Sequence, residues 1–148
     1  ISNPEFLSEE TAVEDTKNPP FILIGGIDRK YMDDLKAFYE GRIKGSPFIL
    51  TDNTTAEMTK LTLNAFFSTK VIFANQVYDA CQVLEANYEI VKKVLEDHLY
   101  GSKNHFKIWY KEKRGVNGKC LPKDVHAFAH YTNSDLVKKV VELNKNYV

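Results

Sequence analysis

The sequence predicts a mostly α protein with a small α/β part. Two short apolar runs, Phe21-Ile22-Leu23-Ile24 and Phe48-Ile49-Leu50, flank an amphipathic stretch, and no Gly or Pro interrupts the chain from Thr55 to about Leu84. Helix-start signals return at Pro122 and at Asn133-Ser134-Asp135. The first run, closed by Gly25-Gly26, reads as a buried strand and turn. Arg29 to Tyr39 then sets Met32, Leu35, Phe38 and Tyr39 on one helical face. Strand, helix and strand make a βαβ unit, which implies parallel pairing. A parallel sheet needs cover on both faces and more than two strands, so further strands are expected upstream. The opening Ile1-Ser2-Asn3-Pro4, with no methionine before it, reads as the exit from such a strand. The chain is therefore expected to be a piece of a longer protein.

The remainder reads as helical. Asp52-Asn53-Thr54-Thr55 offers caps, and the stretch that follows predicts a helix about 45 Å long at about 1.5 Å per residue. Its apolar positions (Met58, Leu61, Leu63, Phe66, Phe67 and on to Leu84) go round most of the circumference, so it should be buried on nearly all faces. Lys60, Asn64, Lys70, Asn75, Gln76 and Asp79 make it too polar to span a membrane. The expected cover is other helices and a second copy of the chain, a homodimer. A further helix runs from about Glu89 to Leu99, an irregular stretch from Gly101 to Lys119, and two helices follow.

Composition narrows the class. With 43% hydrophobic and 27% charged residues over 148 positions, this is a soluble globular chain. Its 20 basic and 20 acidic residues balance, so no global field draws in nucleic acid or an anionic membrane. Two cysteines, Cys81 and Cys120, lie far apart without metal-type spacing and fit a reducing cytoplasm. No signal peptide or membrane span is present in the sequence.

The stretch Gly118-Lys119-Cys120-Leu121-Pro122-Lys123-Asp124 carries the sharpest chemical signal. Proline favours the first helical position, which makes Leu121 the N-cap, Pro122 the first residue and Asp124 the third, facing the positive end of the helix dipole. Cys120 then sits just outside, near unpaired backbone N–H groups and lysines, a setting for a nucleophile in covalent catalysis. The alternative is a capping aspartate and a small buried cysteine. Lys60 and Asn64, one helical turn apart in the most apolar stretch, are either a solvated pair or donors for a developing oxyanion. Glu5 and Glu9 bracket Phe6-Leu7-Ser8 as a candidate acid and base, or as surface glutamates. His126 and His130 have zinc-compatible spacing but no third ligand, so no metal site is assigned. Cys81 reads as core.

"NPEFLSEETAVED" (Asn3 to Asp15), "AEMTKLTLNAF" (Ala56 to Phe66) and "GKCLPKD" together resemble, in that order, three signature segments of the UDP-glucose and GDP-mannose dehydrogenases. The resemblance implies that residues 1–52 are the C-terminal part of an NAD-binding Rossmann-type domain and that 53–148 are the central helical dimerisation domain, carrying the catalytic cysteine. It implies oxidation of the C6 alcohol of a nucleotide hexose to a carboxylate with two NAD, UDP-glucose first and GDP-mannose second. In that scheme Cys120 forms a thiohemiacetal and then a thioester, Lys60 and Asn64 stabilise oxyanions, Asp124 acts with water as base, and Glu5 assists hydrolysis. Glu5, Phe6, Leu7, Ser8 and Glu9 line the sugar, together with Lys60, Asn64, Lys111 and Gly115, while Glu9, Cys120 and Lys123 lie near the nicotinamide. The glycine-rich dinucleotide fingerprint is not in this sequence. Asn117 stands where the family has a glycine before the cysteine. The family's Arg-Ile-Gly segment has no counterpart in Ser102 to Phe106, with Lys111, Lys113 or Arg114 as candidate substitutes. The rival reading is a helical dimerisation module without catalysis.

Overall fold

The computed structural model describes residues 1–8, 11–98 and 105–148. The expectations attached to Glu9, and to most of the Ser102 to Phe106 stretch, fall outside these residues. The elements are α1 (Ala12–Lys17), β1 (Ile22–Gly25), α2 (Arg29–Glu40), β2 (Phe48–Thr51), α3 (Asn53–Val83), α4 (Tyr88–His98), α5 (Cys120–Thr132) and α6 (Asp135–Asn144). They fall into two compact units, Ile1–Lys60 and Leu61–Val148. The mostly helical class with a small α/β part is what the chain adopts.

In the first unit β1 and β2 pair in parallel, with Ile22 opposite Phe48 and Gly25 opposite Thr51. The pairing is parallel because α2 carries the chain back between them. Asp28 caps that helix by accepting from the Lys30 N–H at 2.8 Å, and Met32 is its buried residue, packed with Ile22 and Ile24. Gly25 and Gly26 are glycines for packing reasons. A Cβ on Gly25 would lie 2.6 Å from the Ala56 Cβ, and one on Gly26 2.6 Å from the Met32 Cγ. The opening residues also pair with the first unit's sheet: Ser2 exchanges both backbone hydrogen bonds with Gly25, at 2.8 and 2.7 Å, and the Asn3 amide donates to the Leu23 carbonyl. Their partner is β1 itself, which alternation in the sequence gave no way to see. The short helix α1 was likewise not expected.

In the second unit, α3 supplies Ala65, Val71 and Ile72 to a core closed by Val125 and Ala129 of α5, Val137 and Val140 of α6, and Val116. Farther along, Ala74 and Cys81 pack with Tyr88, Phe106 and Ile108. Cys81 is core, as expected. The expectation of burial on nearly every face needs correcting within this chain. Phe66 and Phe73 are 54% and 55% exposed. They belong to a stripe of Thr62, Phe66, Thr69, Phe73, Gln76, Ala80 and Val83, in which only Thr69 is half-buried and the rest are exposed. Steps of four and three residues keep these positions on one face, the face that α4, α5 and α6 leave open. Among the described residues no helix is long and apolar enough to cross a membrane.

The start of α3 is held by Asp52, whose carboxylate accepts from the Thr55 N–H at 2.8 Å and from the Thr55 hydroxyl at 2.6 Å. The hydroxyl first, and the amide second, hold this carboxyl below its ordinary value. A depressed carboxyl contributes stability above its unfolded value and loses it as pH falls through the folded one. Thermal unfolding followed by circular dichroism should therefore show Asp52→Ala less stable than wild type at neutral pH, with the gap closing in acid. Asp52→Asn, which keeps an acceptor for the Thr55 amide, should fall between them. A gap that stays constant into acid would show that the carboxylate has no part in it.

Candidate functional site

Six of the sequence-predicted residues meet as two clusters, each inside one unit. In the first unit Lys60, seven residues from the start of α3, donates from Nζ to the Glu5 carbonyl oxygen at 2.7 Å and lies 3.9 Å from the Glu5 carboxylate. Its ammonium also sits 5.6 Å from the centre of the Phe6 ring, which packs against Phe21. Lysine has three N–H donors. One of them holds the Glu5 to Ser8 loop by its backbone, a task that the apolar setting of Lys60 hinted at without specifying. The far end of the loop is pinned by Asp15, which accepts from the Ser8 N–H at 2.9 Å and the Thr11 hydroxyl at 2.8 Å. Those two donors, the amide first, hold the Asp15 carboxyl below its ordinary value. Between the pins, Glu5, Leu7 and Ser8 are exposed and Phe6 is half-buried.

In the second unit Asn64 donates from Nδ2 to the Asp124 carboxylate at 2.5 Å, with both side chains buried at 5% and 6% exposure. A buried carboxylate is costly unless its oxygens are occupied, and the other oxygen lies 3.4 Å from Lys123 Nζ. Asp124 is thus an acceptor across the core rather than a cap on its own helix. The expected cap needs correcting: α5 begins at Cys120, with Lys119 in the cap position and no side-chain cap bond. Pro122 is its third residue and Asp124 its fifth. Proline fits there because the N–H groups of the whole first turn lack helical partners, so the first position has no monopoly. Cys120 is accordingly the first residue of the helix and is exposed, while Cys81 is buried.

The segment leading to Cys120 is tied down by Asn144, which sequence reasoning missed, and by Arg114, which it offered only as a substitute for the family's arginine. The amide of Asn144, the last residue of α6, accepts from the Val116 N–H at 2.6 Å and donates to the Val116 carbonyl at 2.9 Å. Arg114 donates to Asn75 at 3.1 Å and to Asp79 at 2.6 Å, and lies between the rings of Tyr78 and Tyr147. Its guanidinium is engaged with α3. The signal was available for Asn75, a fully buried amide in an apolar helix, by the same logic that singled out Asn64. Gly115 has φ of 74°, and a Cβ there would lie 2.5 Å from the Asn144 Oδ1. Asn117, in place of the family's glycine, donates to the carbonyls of Arg114 and Gly115. Lys111 is exposed, with φ of 50° and its ammonium 5.2 Å from the Tyr110 ring centre.

Among the described residues, Gly25 at the end of β1 and Gly26 after it do not form the phosphate cradle of a dinucleotide-binding turn, because their N–H groups already donate to the Ser2 and Thr51 carbonyls. Among the described residues no group of three His, Cys, Asp or Glu is arranged for a metal ion.

The sequence profile described as the UDP-glucose/GDP-mannose dehydrogenase family, central domain, matches residues 54–146. The UDP-glucose 6-dehydrogenase of Rickettsia felis is 33% identical over 97% of this chain and 33% of its own length. The GDP-mannose 6-dehydrogenase of Pseudomonas savastanoi pv. phaseolicola is 35% identical over 89% of this chain and 29% of its own. Among solved structures, a UDP-glucose dehydrogenase from the archaeon Pyrobaculum islandicum superposes with a TM-score of 0.83 at 28% identity, over 97% of this chain and 33% of that one. The chain spans about a third of the length of the relatives it matches. With the profile covering well over half of its residues, the chain belongs to the UDP-glucose/GDP-mannose dehydrogenase family.

Proposed function

We propose that this chain is the substrate-facing and cysteine-bearing portion of an NAD-dependent nucleotide-sugar 6-dehydrogenase that converts UDP-glucose to UDP-glucuronate. The observation that carries the reading is the exposed Cys120 at the start of α5, four residues before a carboxylate buried against Asn64. UDP-glucose is preferred because the Rickettsia and Pyrobaculum relatives, each matched over 97% of this chain, carry that name. GDP-mannose is the competing substrate.

NAD, when bound, accepts a hydride in each of two oxidations. What the chain's own residues do is capture the carbon between them. The Cys120 thiolate adds to the C6 aldehyde, forming a C–S bond, and the carbonyl electron pair moves to oxygen. In this reading Lys60 and Asn64, four residues apart in α3, would donate N–H groups to that oxygen. The two-electron oxidation of this adduct leaves a thioester. Water then adds to the thioester carbon, giving up one proton to Asp124, the C–S bond breaks to return the thiolate, and the acid so formed loses its second proton to solvent to leave the carboxylate. Glu5 assists this hydrolysis from the Glu5–Glu9 loop, which lines the sugar with Phe6, Leu7 and Ser8. Lys111 and Gly115 would extend the sugar contacts, and Glu9 and Lys123 would lie near the nicotinamide. The protein works as a homodimer in the cytoplasm.

Steady-state NADH production by the full-length protein tests the chemistry. Cys120→Ser should abolish completion of the four-electron oxidation while the circular dichroism spectrum stays native. Cys81→Ser, in the core, should leave turnover nearly unchanged. Lys60→Ala should slow turnover by about 100-fold or more, the loss expected for one oxyanion donor. Wild-type turnover in Cys120→Ser would sink the covalent mechanism, and faster turnover of GDP-mannose than of UDP-glucose would reassign the substrate.

The open stripe on α3 supports the dimer. A face with two half-exposed phenylalanines, repeating every seven residues, suits the seam of a helix pair. Sedimentation equilibrium should give a dimer for the wild type and a monomer for Phe66→Ser combined with Phe73→Ser. A dimer that survives both substitutions would place the interface elsewhere.

A further inference from the structure

Five residues separate Arg114 from Cys120, and they include two glycines with positive φ, 74° at Gly115 and 87° at Gly118. A segment of this composition has wide conformational freedom in isolation. Here the peptide groups up to Val116 are held by side chains. The Asn144 amide pairs with both the N–H and the carbonyl of Val116, as a neighbouring strand would, and Val116 is only 2% exposed. Asn117 folds back to the carbonyls of Arg114 and Gly115 at 3.3 and 3.2 Å. Upstream, Arg114 is moored to Asn75 and Asp79, and the Tyr147 hydroxyl donates to the second Asp79 oxygen at 3.3 Å. Gln76 completes the group by bonding the Tyr147 hydroxyl.

The two moorings differ in what they fix. Arg114 joins the start of the segment to α3. Asn144 reaches its middle, four residues before the thiol, where no other side chain bonds the Val116 peptide among the described residues. We propose that Asn144 is a positioning residue for Cys120: its two bonds to Val116 set the path by which the chain enters α5, and so the place of the thiol at that helix's first turn. This rests on the reading of Cys120 as the nucleophile. A nucleophile held in a near-attack position loses rate steeply when displaced, by about 100-fold for about 1 Å. Substrate binding need not follow.

The test compares three variants of the full-length protein in a Cys81→Ser background. Asn144→Ala removes both bonds. Asn144→Asp keeps an acceptor for the Val116 N–H and loses the donor to its carbonyl. Val140→Ala removes packing from the same helix, α6, and from the core it shares with Val116, but no hydrogen bond to the segment. Two readouts are taken beside the melting temperature: kcat and KM with NAD and UDP-glucose, and the rate of Cys120 alkylation by iodoacetamide, which depends on the thiol's access and on the amides around it. Asn144→Ala should lower kcat by about tenfold or more with KM within about twofold, and slow alkylation by about fivefold. Asn144→Asp should fall between it and wild type. Val140→Ala should lower the melting temperature but leave kcat and alkylation within about twofold.

The proposal is overturned if the Asn144 variants match Val140→Ala in either readout, because the amide then does not set the place of the thiol. Should Asn144→Ala fail to fold, Asn144→Asp decides by the same criterion. Alkylation needs no turnover, so the two ideas separate. Normal turnover in Cys120→Ser removes the covalent reading, whereas unchanged Cys120 alkylation in both Asn144 variants removes the positioning role.

Discussion

The buried hydrogen bond from Asn64 to Asp124 is the contact on which the second unit's arrangement turns. A carboxylate at 6% exposure is tolerated only with its oxygens engaged, and an amide in the middle of an apolar helix only with a partner. Each group supplies what the other lacks, at 2.5 Å. Because the bond joins α3 to the fifth residue of α5, it sets how the first turn of α5 lies against the long helix. Removing one member would strand the other, a larger loss than the bond itself contributes.

The same principle recurs along α3. Ser68 and Asn75 are fully buried, and Lys70 is nearly so. Ser68 and Asn75 turn back to the carbonyls of Asn64 and Val71 on their own helix, and the Asn75 oxygen is left to receive Arg114. Lys70 lies 4.8 Å from the Phe106 ring centre, and burial pushes its ammonium below its ordinary value. Polar groups in this helix therefore act as addresses. Apolar contacts would let the neighbouring elements slide, and the directional bonds select one placement.

How much of this was legible depended on the range of the interaction. The βαβ unit, the long helix and the two helices after Lys119 follow from apolar periodicity and from glycine, proline and cap residues, all local signals. Lys60 and Asn64 stood out because they are polar where their neighbours are not, and both have found partners. The identity of those partners was not legible: Glu5 offers a backbone carbonyl, and Asp124 lies 60 positions away. The start of α5 was misplaced by two residues because proline restricts its own backbone without naming its position in the turn. Asn144 was invisible for a related reason. A side-chain amide that imitates a β partner for Val116 leaves no pattern at either site.

Gly115 carries a consequence for how changes in this chain combine. Its φ of 74° disfavours any side chain, and the space a Cβ would occupy is already taken by Asn144 and Tyr147. These are separate penalties, one belonging to the backbone and one to the neighbours. Shortening Asn144 relieves its share of the second, leaving the Tyr147 contact and the first. The effects of substitutions at 115 and 144 are therefore not additive: an alanine at 115 costs less when 144 has already lost its amide. The pair would drift together or not at all, which couples the loop before Cys120 to the end of α6 although more than twenty residues lie between them.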